Sequence, residues 1–308
     1  MNPPRLTIAI PTKDRPDWCL RALSSAFDQL DGRTDVEILV SDNSADDETQ
    51  RMVSRIPQQA IRYWRNSPPT EMVENWNHLL SKATGQYILW LHDDDYMLPG
   101  SVRGILETLS KYPERGFHVF SARIIDDRER PMRRGGQHKD EPLCPRAAIL
   151  ALFTHSSFIR FPSAVVQAEL VRSSGGFFED RRDLADLCLW SRLAASTGIS
   201  CHSLATIAYT IHPAQTTSRM FTESTLAGIS KMAGRFEYLL GTTDLNNALG
   251  RFFWRFVIGG ATRALKNGDL KEVKRILQIS KSELFQSKPC PGQWLPLRSL
   301  LALAGSFG

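Results

Sequence analysis

The chain has 308 residues, of which 42% are hydrophobic and 23% charged, a composition typical of a globular protein with a sizeable core. Its apolar segments 252–265 and 294–307 contain arginine and are shorter than the roughly 20 residues of a membrane-spanning helix. The first apolar run, Leu6–Ile10, ends in Pro11 and is too short for a signal peptide core. Five scattered cysteines without a Cys-x-x-Cys pair predict neither a zinc site nor a disulfide framework. We therefore expect a cytoplasmic protein.

The net charge of +5 is unevenly distributed along the chain. From Gln215 to the last residue there are 13 Lys and Arg against 6 Asp and Glu, a balance of +7, so the preceding residues carry −2. This asymmetry indicates an anionic partner for the C-terminal third, such as a membrane surface or a lipid phosphate. A solvated helical face is the alternative interpretation.

The first part of the chain alternates β-rich segments with helical ones. Strands are predicted over Leu6–Ile10, Val36–Val40, Ile61–Trp64 and Tyr87–Leu91. Helices are predicted over residues 17–30, 45–56 and 71–83. Such alternation predicts an α/β fold with a mostly parallel sheet flanked by helices. Ligands of these sheets bind beyond the carboxyl ends of the strands.

The pattern becomes less regular in the middle and purely helical at the end. Strands are predicted over residues 117–125, 161–166 and 204–211, with a helix over 184–195. Beyond Pro213 only helices are predicted, over residues 223–240, 245–266 and 270–281. The segment Pro213–Ser218 is therefore the predicted boundary. It separates an α/β domain of residues 1–214 from a helical region of residues 215–308.

The most informative motif is the triplet Asp93-Asp94-Asp95, which directly follows the predicted strand Tyr87–Leu91. Three adjacent carboxylates repel one another, so a fold needs a reason to hold them together. A divalent cation such as Mg²⁺ or Mn²⁺ supplies one, because it prefers oxygen ligands and shares them with substrate phosphates. The alternative is a helix N-cap before Pro99 with Asp95 as a solvated acid.

Three weaker polar clusters accompany the triplet. Ser41–Ser44 follows a strand and offers Asp42 to a nucleobase or ribose, although the same residues are good turn formers. The segment Pro11–Arg15 is also typical of two structures, a binding loop or a turn before a helix. Asp186 is expected near the N-terminus of an apolar helix, where a carboxylate is favoured. It is there either a capping acid or a general base.

These motifs belong to an ordered set of segments within about the first 215 residues. The segments are Ile8–Arg15, Glu37–Ser44, Asn75–Asn77, Ala83–Ile88, Leu91–Asp95, Leu98–Gly100, Gly175–Phe177, Asp186–Leu193 and Tyr209–Pro213. In order and spacing the set resembles the inverting family 2 glycosyltransferases of GT-A fold. The resemblance implies a nucleotide-diphosphate-sugar donor, a divalent cation (Mn²⁺ or Mg²⁺), and a saccharide or lipid-linked saccharide acceptor in bacterial-type polysaccharide or glycolipid assembly. It implies no nucleic acid partner.

The resemblance also implies a role for individual positions. Residues that would contact the donor are Pro11, Thr12, Arg15, Asp42, Asn77, Asp93 and Asp94. Residues that would hold the metal are Asp95, Asp93 and His212, with His212 near the phosphates. Asp186 would be the catalytic base. The helical C-terminal region would contact the acceptor, the inner membrane face or another subunit, since Phe252, Phe253, Trp254 and Phe256 need covering.

The sequence departs from the family pattern at positions that matter for these roles. An acid is common where His92 stands, so the metal motif is open to a shift by one residue. The acidic pair usual near the base is Ala185-Asp186 here, so Asp180 and Asp183 remain alternatives to Asp186.

Two other function classes use a similar architecture. A sugar-nucleotide nucleotidyltransferase has a parallel sheet and acidic metal ligands, but it is expected to carry a glycine-rich loop where Pro11–Arg15 has no glycine. A non-catalytic nucleotide-sugar-binding module is the second alternative, because Asp186 stands alone. Donor hydrolysis or transfer assays distinguish that module from an enzyme.

Overall fold

A computed structural model describes the chain over residues 3–57, 61–132, 136–155, 157–178, 183–212 and 222–294. The strands are β1 (Leu6–Thr12), β2 (Val36–Asp42), β3 (Ile61–Arg65), β4 (Tyr87–Trp90), β5 (Tyr96–Met97), β6 (Phe117–Asp126), β7 (Glu141–Leu143), β8 (Ala164–Gln167) and β9 (Ile199–Ile211). The helices are α1 (Pro16–Phe27), α2 (Glu48–Val53), α3 (Met72–Lys82), α4 (Ser101–Lys111), α5 (Pro145–Thr154), α6 (Ala168–Ser173), α7 (Ala185–Thr197), α8 (Glu223–Gly234), α9 (Glu237–Leu240), α10 (Thr242–Lys266), α11 (Leu270–Ile279) and α12 (Glu283–Gln286).

The strands form one mixed sheet in the order β3-β2-β1-β4-β8-β6-β9-β5, with β7 also paired to β9. The first four strands of this order are mutually parallel, and β6 is parallel to β9. Strands β5, β7 and β8 run antiparallel to their neighbours. The predicted α/β fold with a mostly parallel sheet and flanking helices is therefore confirmed, with antiparallel strands in its second half.

The sheet is buried because apolar helix faces cover it. Strands β1 and β2 are buried along their whole length, as expected for parallel strands between two helical layers. The buried sides of α1 and α4 contribute to the same core as β1, β2 and β4. Gly85, just before β4, lies so close to β1 that a Cβ atom on it would be 2.5 Å from Thr7 Oγ1. Any larger residue there would push β1 and β4 apart.

Local differences from the predicted elements follow from segment length. Residues 161–166 were expected to form one strand, but Phe161–Ser163 forms a 3-10 turn and only β8 continues as a strand. The predicted helix over 45–56 is shortened to α2, and the helix over 223–240 is divided into α8 and α9. The two-residue β5 has no periodicity that a sequence could display.

The described residues divide into two compact units. The first contains those of 3–145 and 159–212 and holds the sheet, and the second contains those of 146–158 and 222–294. The predicted boundary segment Pro213–Ser218 lies outside the described residues. The division into a domain of residues 1–214 and a helical region of 215–308 stays a prediction.

The second unit covers its own aromatic side chains. Phe252, Phe253, Trp254 and Phe256 of α10 are at most 8% exposed. The rings of Phe253 and Trp254 pack on Phe285 of α12, with ring centroids 6.1 and 5.0 Å apart. The expectation that these rings need a membrane or another subunit to cover them is therefore wrong. None of the described helices combines the length and hydropathy that a bilayer crossing requires.

A buried histidine pair lies between β6 and β9, away from the carboxyl ends of β1, β2 and β4. His118 Nδ1 is 3.0 Å from His202 Nε2, and His118 Nε2 is 3.0 Å from the carbonyl oxygen of Arg115. A carbonyl only accepts, so His118 Nε2 carries its proton and His202 donates to Nδ1. Burial lowers the pKa of both imidazoles to about 4, and the charge of His202 adds to this effect on His118.

Acid is expected to destabilise the fold through this pair. Each ring has a lower pKa in the folded chain than the usual value of 6.5. The unfolded chain therefore binds more protons, and stability is lost as the pH falls from about 6.5 towards 4. His202→Gln keeps a donor for His118 and removes one titrating ring, so the fall in unfolding free energy should become shallower. Urea unfolding at several pH values measures this, and an unchanged slope would assign the acid sensitivity to other groups.

Candidate functional site

The carboxyl ends of β1, β2 and β4 meet at one edge of the sheet. Thr12, the last residue of β1, lies in register beside Asp42, the last residue of β2. Leu91, just after β4, donates its N–H to the carbonyl of Ala9 in β1 at 2.8 Å. Asp93–Asp95 therefore begins at the same edge. The polar clusters that the sequence analysis found after these strands are adjacent in space.

Pro11 lies where β1 loses one of its two neighbours. It is in register with Ser41 of β2, whereas the pairing of β1 with β4 ends at Ala9 and Trp90. A proline has no N–H to donate, so it is tolerated where a ladder ends on one side. The chain then leaves the sheet and continues directly into Thr12.

Asp93 is tied to the loop that follows β1. Thr12 Oγ1 donates to Asp93 Oδ2 at 2.9 Å, and Arg15 Nη1 lies 3.3 Å from Asp93 Oδ1. Burial and the neighbouring charge of Asp94 raise the pKa of Asp93 to about 6, although Arg15 and Thr12 act in the opposite direction. The predicted donor residues Thr12, Arg15 and Asp93 therefore form one connected group.

Asp94 occupies the centre of the cluster. Its Oδ2 atom lies 3.6 Å from Arg15 Nη1 and 2.9 Å from His212 Nε2. Its backbone carbonyl accepts a hydrogen bond from Arg21 at 2.7 Å. Burial acts to raise the pKa of this carboxyl, but the contact with His212 and the surrounding positive charges hold the pKa below its usual value. Asp94 is thus the aspartate of the triplet that is stabilised as an anion.

Asp95 is hydrogen-bonded to the end of β9. Its Oδ1 atom accepts the backbone N–H of Thr210, near the end of β9, at 2.7 Å, and the residue is 1% exposed. Burial raises the pKa of Asp95 well above its usual value, and the negative charge of Asp94 adds to this. Asp95 therefore binds a proton more readily than an ordinary aspartate, and a cation bound beside it would favour its ionised form.

Two sets of side chains at this edge have the spacing of cation ligands. His92, Asp94 and Asp95 each offer one ligand atom, and these atoms lie within 4.8 Å of one another. His92 Nε2 is buried and has no hydrogen-bond partner among the described residues. Burial lowers the pKa of His92, so the imidazole is neutral and able to ligate. The residues present thus fit a divalent cation.

His212 and Asp94 form the second set. Their facing atoms are 2.9 Å apart. Adjacent ligands of a six-coordinate cation with bonds of about 2.1 Å are separated by about 3.0 Å. Asp94 belongs to both sets. Asp93 instead faces Thr12 and Arg15, so its predicted role as a ligand stays a prediction, as do those of Asp95 and His212.

Asp42 is fully buried, and both of its oxygens already have partners. Tyr63 donates its hydroxyl to Oδ2 at 2.6 Å, and the Ser44 backbone N–H donates to Oδ1 at 2.9 Å. Burial, together with this hydrogen bond, raises the pKa of Tyr63. Asp42 therefore shapes the turn after β2, and its predicted contact with a base or ribose stays a prediction.

Asp42→Ala is expected to weaken both the fold and nucleotide binding. It leaves the Tyr63 hydroxyl and the Ser44 N–H without their acceptor, which typically costs about 1–3 kcal/mol for each buried group. The Tm increase produced by a nucleoside diphosphate should also shrink, because the turn that faces the ligand loses its anchor. Tyr63→Phe is the control, since it removes one hydrogen bond and keeps Asp42. An unchanged Tm increase in Asp42→Ala would remove Asp42 from the pocket.

Asn77 joins two distant parts of the chain. Its side chain donates to the carbonyl of Phe177 at 2.8 Å and accepts the N–H of the same residue at 2.9 Å. Gly176 has a φ of +67°, and a Cβ atom there would be 2.7 Å from Asn77 Oδ1. The Gly175–Phe177 motif is therefore required by this close approach. The predicted contact of Asn77 with the donor stays a prediction.

Asp186 lies in the first turn of α7, where its Oδ1 atom accepts the N–H of Leu187 at 2.7 Å. Burial raises its pKa to about 6. The pKa of Tyr209 is raised to about 12, first by burial and then by the charges of Asp95, Asp94 and Asp186. Asp186 and two aspartates of the triplet thus raise the pKa of the same tyrosine, and all of them belong to the first unit. Of the two alternatives, Asp183 is exposed, and Asp180 lies outside the described residues.

Several residues of the site carry no recognisable sequence motif. The guanidinium of Arg15 lies 5.2 Å from the ring centroid of Trp18. The rings of Trp18 and His212 are nearly perpendicular, with centroids 4.6 Å apart. Arg160 lies over the ring of Tyr209 at 4.9 Å. The spacing of Arg15, Trp18 and Arg21 at three-residue intervals is the one signal that indicates a common helix face.

Comparisons with known proteins give a consistent result. Residues 7–174 match the model of the family described as glycosyl transferase family 2. A GalNAc(5)-diNAcBac-PP-undecaprenol beta-1,3-glucosyltransferase of Campylobacter jejuni is 27% identical over 171 residues, which are 53% of this chain and 53% of that protein. The chain thus spans about half the length of this curated relative.

Two groups of solved structures share the fold. TarS 1-349 of S. aureus in complex with UDP-GlcNAc has a TM-score of 0.66 and 15% identity, covering 92% of this chain and 82% of that one. The mannosyltransferase PcManGT of Pyrobaculum calidifontis, in complex with GDP-Man and Mn²⁺, has a TM-score of 0.56 and 16% identity, covering 99% and 87%. At these identities the likeness concerns the GT-A-type fold. Because the family match covers more than half of its residues, the chain belongs to glycosyl transferase family 2.

Proposed function

We propose that the chain transfers a sugar from a nucleotide-diphosphate donor to an acceptor hydroxyl, with inversion at the anomeric carbon. The observation that carries the proposal is the group of Asp93, Asp94 and Asp95 at the carboxyl edge of the sheet, faced by Arg15 and His212. Each aspartate has different partners. The group combines anionic side chains for a cation with a guanidinium for a phosphate.

The donor diphosphate is proposed to bind between Arg15 and the acidic triplet. Thr12 and Asp93 orient Arg15, which then forms charge-assisted hydrogen bonds with phosphate oxygens. The surrounding pocket is proposed to be lined by Pro11, Asp42 and Asn77. Asp42 holds the turn after β2, and Asn77 is bonded to the backbone of Phe177. One similar protein is titled as a complex with UDP-GlcNAc and another with GDP-Man, which supports a nucleotide-sugar donor for this chain.

A divalent cation, Mn²⁺ or Mg²⁺, is proposed to be held by Asp94 together with either Asp95 and His92 or His212. When bound, it neutralises charge that develops on the departing nucleoside diphosphate. His92→Gln and His212→Gln distinguish the two ligand sets. Replacing the imidazole that ligates should raise the Mn²⁺ dissociation constant by about tenfold or more. Replacing the other imidazole should leave the constant nearly unchanged.

Asp186 is proposed as the base that activates the acceptor. Its carboxylate takes the proton of the acceptor hydroxyl while the oxygen attacks the anomeric carbon from the face opposite the diphosphate. The new glycosidic bond forms as the bond to the diphosphate oxygen breaks, which inverts the configuration. With a pKa near 6, Asp186 is ionised at neutral pH yet basic enough to accept a proton.

The acceptor is proposed to be a saccharide linked to a lipid diphosphate, as in bacterial-type glycolipid or polysaccharide assembly. The support is the C. jejuni relative, whose name describes an undecaprenol-linked saccharide substrate. A transfer assay tests the whole proposal. Purified protein, a panel of nucleotide sugars and lipid-linked saccharide acceptors should release one nucleoside diphosphate in a cation-dependent way. A panel that releases none in the presence of Mn²⁺ and Mg²⁺ would favour the non-catalytic binding module.

A further inference from the structure

The turn between α10 and α11 exposes apolar side chains. Helix α10 ends at Lys266 and α11 begins at Leu270, with Gly268 at a φ of +74° between them. Leu265 and Leu270, on the two sides of this turn, are 58% and 62% exposed. Both belong to the second unit, in which Tyr238 of α9 is also exposed, whereas the aromatic side chains of α10 are buried. The two leucines lie five residues apart on the two sides of one turn, so both are available to an apolar phase at that turn.

The same turn carries more lysines than acids, with three lysines against Asp269 and Glu272 in residues 265–274. Lys266, Lys271 and Lys274 are exposed and form no ion pair with a described residue. The nearby acids have other partners: Asp269 accepts the N–H of Glu272 as the N-cap of α11, and Glu272 pairs with Arg275. The exposed side chains of α11 are Leu270, Lys271, Lys274, Arg275 and Gln278, with no acid among them.

We propose that the α10–α11 turn, residues 265–274, docks on an anionic lipid bilayer. Leu265 and Leu270 enter the boundary between headgroups and acyl chains, while Lys266, Lys271 and Lys274 contact the anionic headgroups. Leucine tips flanked by lysines suit this boundary because each lysine stem is apolar and its ammonium remains at the headgroup level.

A second copy of the chain fits this surface less well. Two leucines provide far less area than the roughly 800 Å² that each partner buries in a stable interface. Self-association through the turn would also bring like-charged lysines together. The lysines of the turn are complementary in charge to an anionic surface. The residues from Gln215 onwards carry an excess of positive charge, which favours the same kind of partner.

Vesicle flotation with the full chain tests the proposal. Vesicles of phosphatidylcholine with phosphatidylglycerol should carry the protein, and those of phosphatidylcholine alone should not. Binding should weaken as salt increases, because the attraction is screened. Lys271→Glu/Lys274→Glu should weaken binding at least about tenfold, and Leu265→Ser/Leu270→Ser should also weaken it.

Matched controls lie elsewhere on the surface. Leu204→Ser removes a leucine that is 41% exposed in the first unit, and Lys231→Glu reverses an exposed charge on α8. Both should bind vesicles like the wild type. Only variants with the same Tm as the wild type are compared, so that loss of folding is excluded. Equal binding to the two kinds of vesicle, or tip variants that bind like the controls, would overturn the proposal. A dimer in light scattering that Leu265→Ser/Leu270→Ser dissociates would assign the turn to self-association instead.

No sugar is present in this experiment. Absence of vesicle binding therefore leaves the proposed transfer reaction untouched, and an inactive enzyme that still binds anionic vesicles leaves the docking surface untouched.

Discussion

Asp186→Asn is expected to lower kcat by roughly 100-fold or more while the affinity for nucleoside diphosphate stays unchanged, because general-base catalysis typically contributes that much. The amide has nearly the shape of the carboxylate and still accepts the Leu187 N–H, so the start of α7 should be preserved. Steady-state kinetics and a thermal shift with the nucleoside diphosphate measure the two effects separately.

The pH dependence of the wild type provides a second readout for the same residue. Burial raises the pKa of Asp186 to about 6, and the base acts only when ionised. The kcat should therefore be nearly constant above pH 7 and fall about tenfold for each pH unit below 6. The residual activity of Asp186→Asn should not show this fall at low pH.

Asp183→Asn is the matched control, since Asp183 is exposed two residues before α7. It should retain nearly full activity. A nearly active Asp186→Asn together with an inactive Asp183→Asn would transfer the role of base to Asp183. If both variants were active, Asp180 would become the candidate.

Asp94→Asn is expected to reduce transfer roughly 100-fold or more, because Asp94 belongs to both candidate ligand sets. A metal ion contributes several kcal/mol to stabilising the departing charge, and each 1.4 kcal/mol is tenfold in rate. Excess chelator should abolish the wild-type activity, and Mn²⁺ or Mg²⁺ should restore it. Asp95→Ala should also lose activity while remaining folded.

Asp47→Asn serves as the control for Asp94, since Asp47 is an exposed acid that forms a surface ion pair with Arg51 at 3.4 Å. It should respond to chelator and Mn²⁺ like the wild type. Metal binding by calorimetry should be lost in Asp94→Asn and retained in Asp47→Asn. Full transfer activity of the wild type in excess chelator would contradict the cation's role.

The sequence predicts the first half of the sheet and the meeting of the polar clusters at one edge of it, because both depend on local patterns. Strands β1, β2 and β4 are short apolar runs. Thr12 and Asp42 are the last residues of β1 and β2, and Asp93 comes soon after the end of β4. Since parallel neighbouring strands bring their carboxyl ends together, the strand assignment alone predicts that these residues are close.

The partners inside the site could not be predicted, because they depend on contacts between distant positions. Asp94 and His212 are 118 residues apart, and Asp95 meets the backbone of Thr210 rather than a side chain. Periodicity carries no information about such pairs. The family resemblance suggested His212 but gave no reason to expect Trp18 against its ring.

The aromatic side chains of α10 show another limit of prediction from the sequence. A run of aromatic residues in a basic segment predicts a surface in need of a partner, because hydrophobic composition alone does not tell where the covering residues are. Phe285, about 30 residues further along the chain, covers Phe253 and Trp254. The large apolar side chains of this region that are exposed are instead Tyr238, Leu265 and Leu270, which no pattern singled out.

The most direct test of the central proposal is a thermal-shift panel of nucleoside diphosphates, with and without Mn²⁺, on the wild type and on Asp94→Asn. The cluster of Asp93, Asp94 and Asp95 with Arg15 and His212 predicts that one nucleoside diphosphate raises the wild-type Tm more with Mn²⁺ than without it. The Mn²⁺-dependent part of the increase should vanish in Asp94→Asn. A nucleotide-induced increase that is equal in both proteins and independent of Mn²⁺ would contradict a cation-assisted donor site at this edge of the sheet.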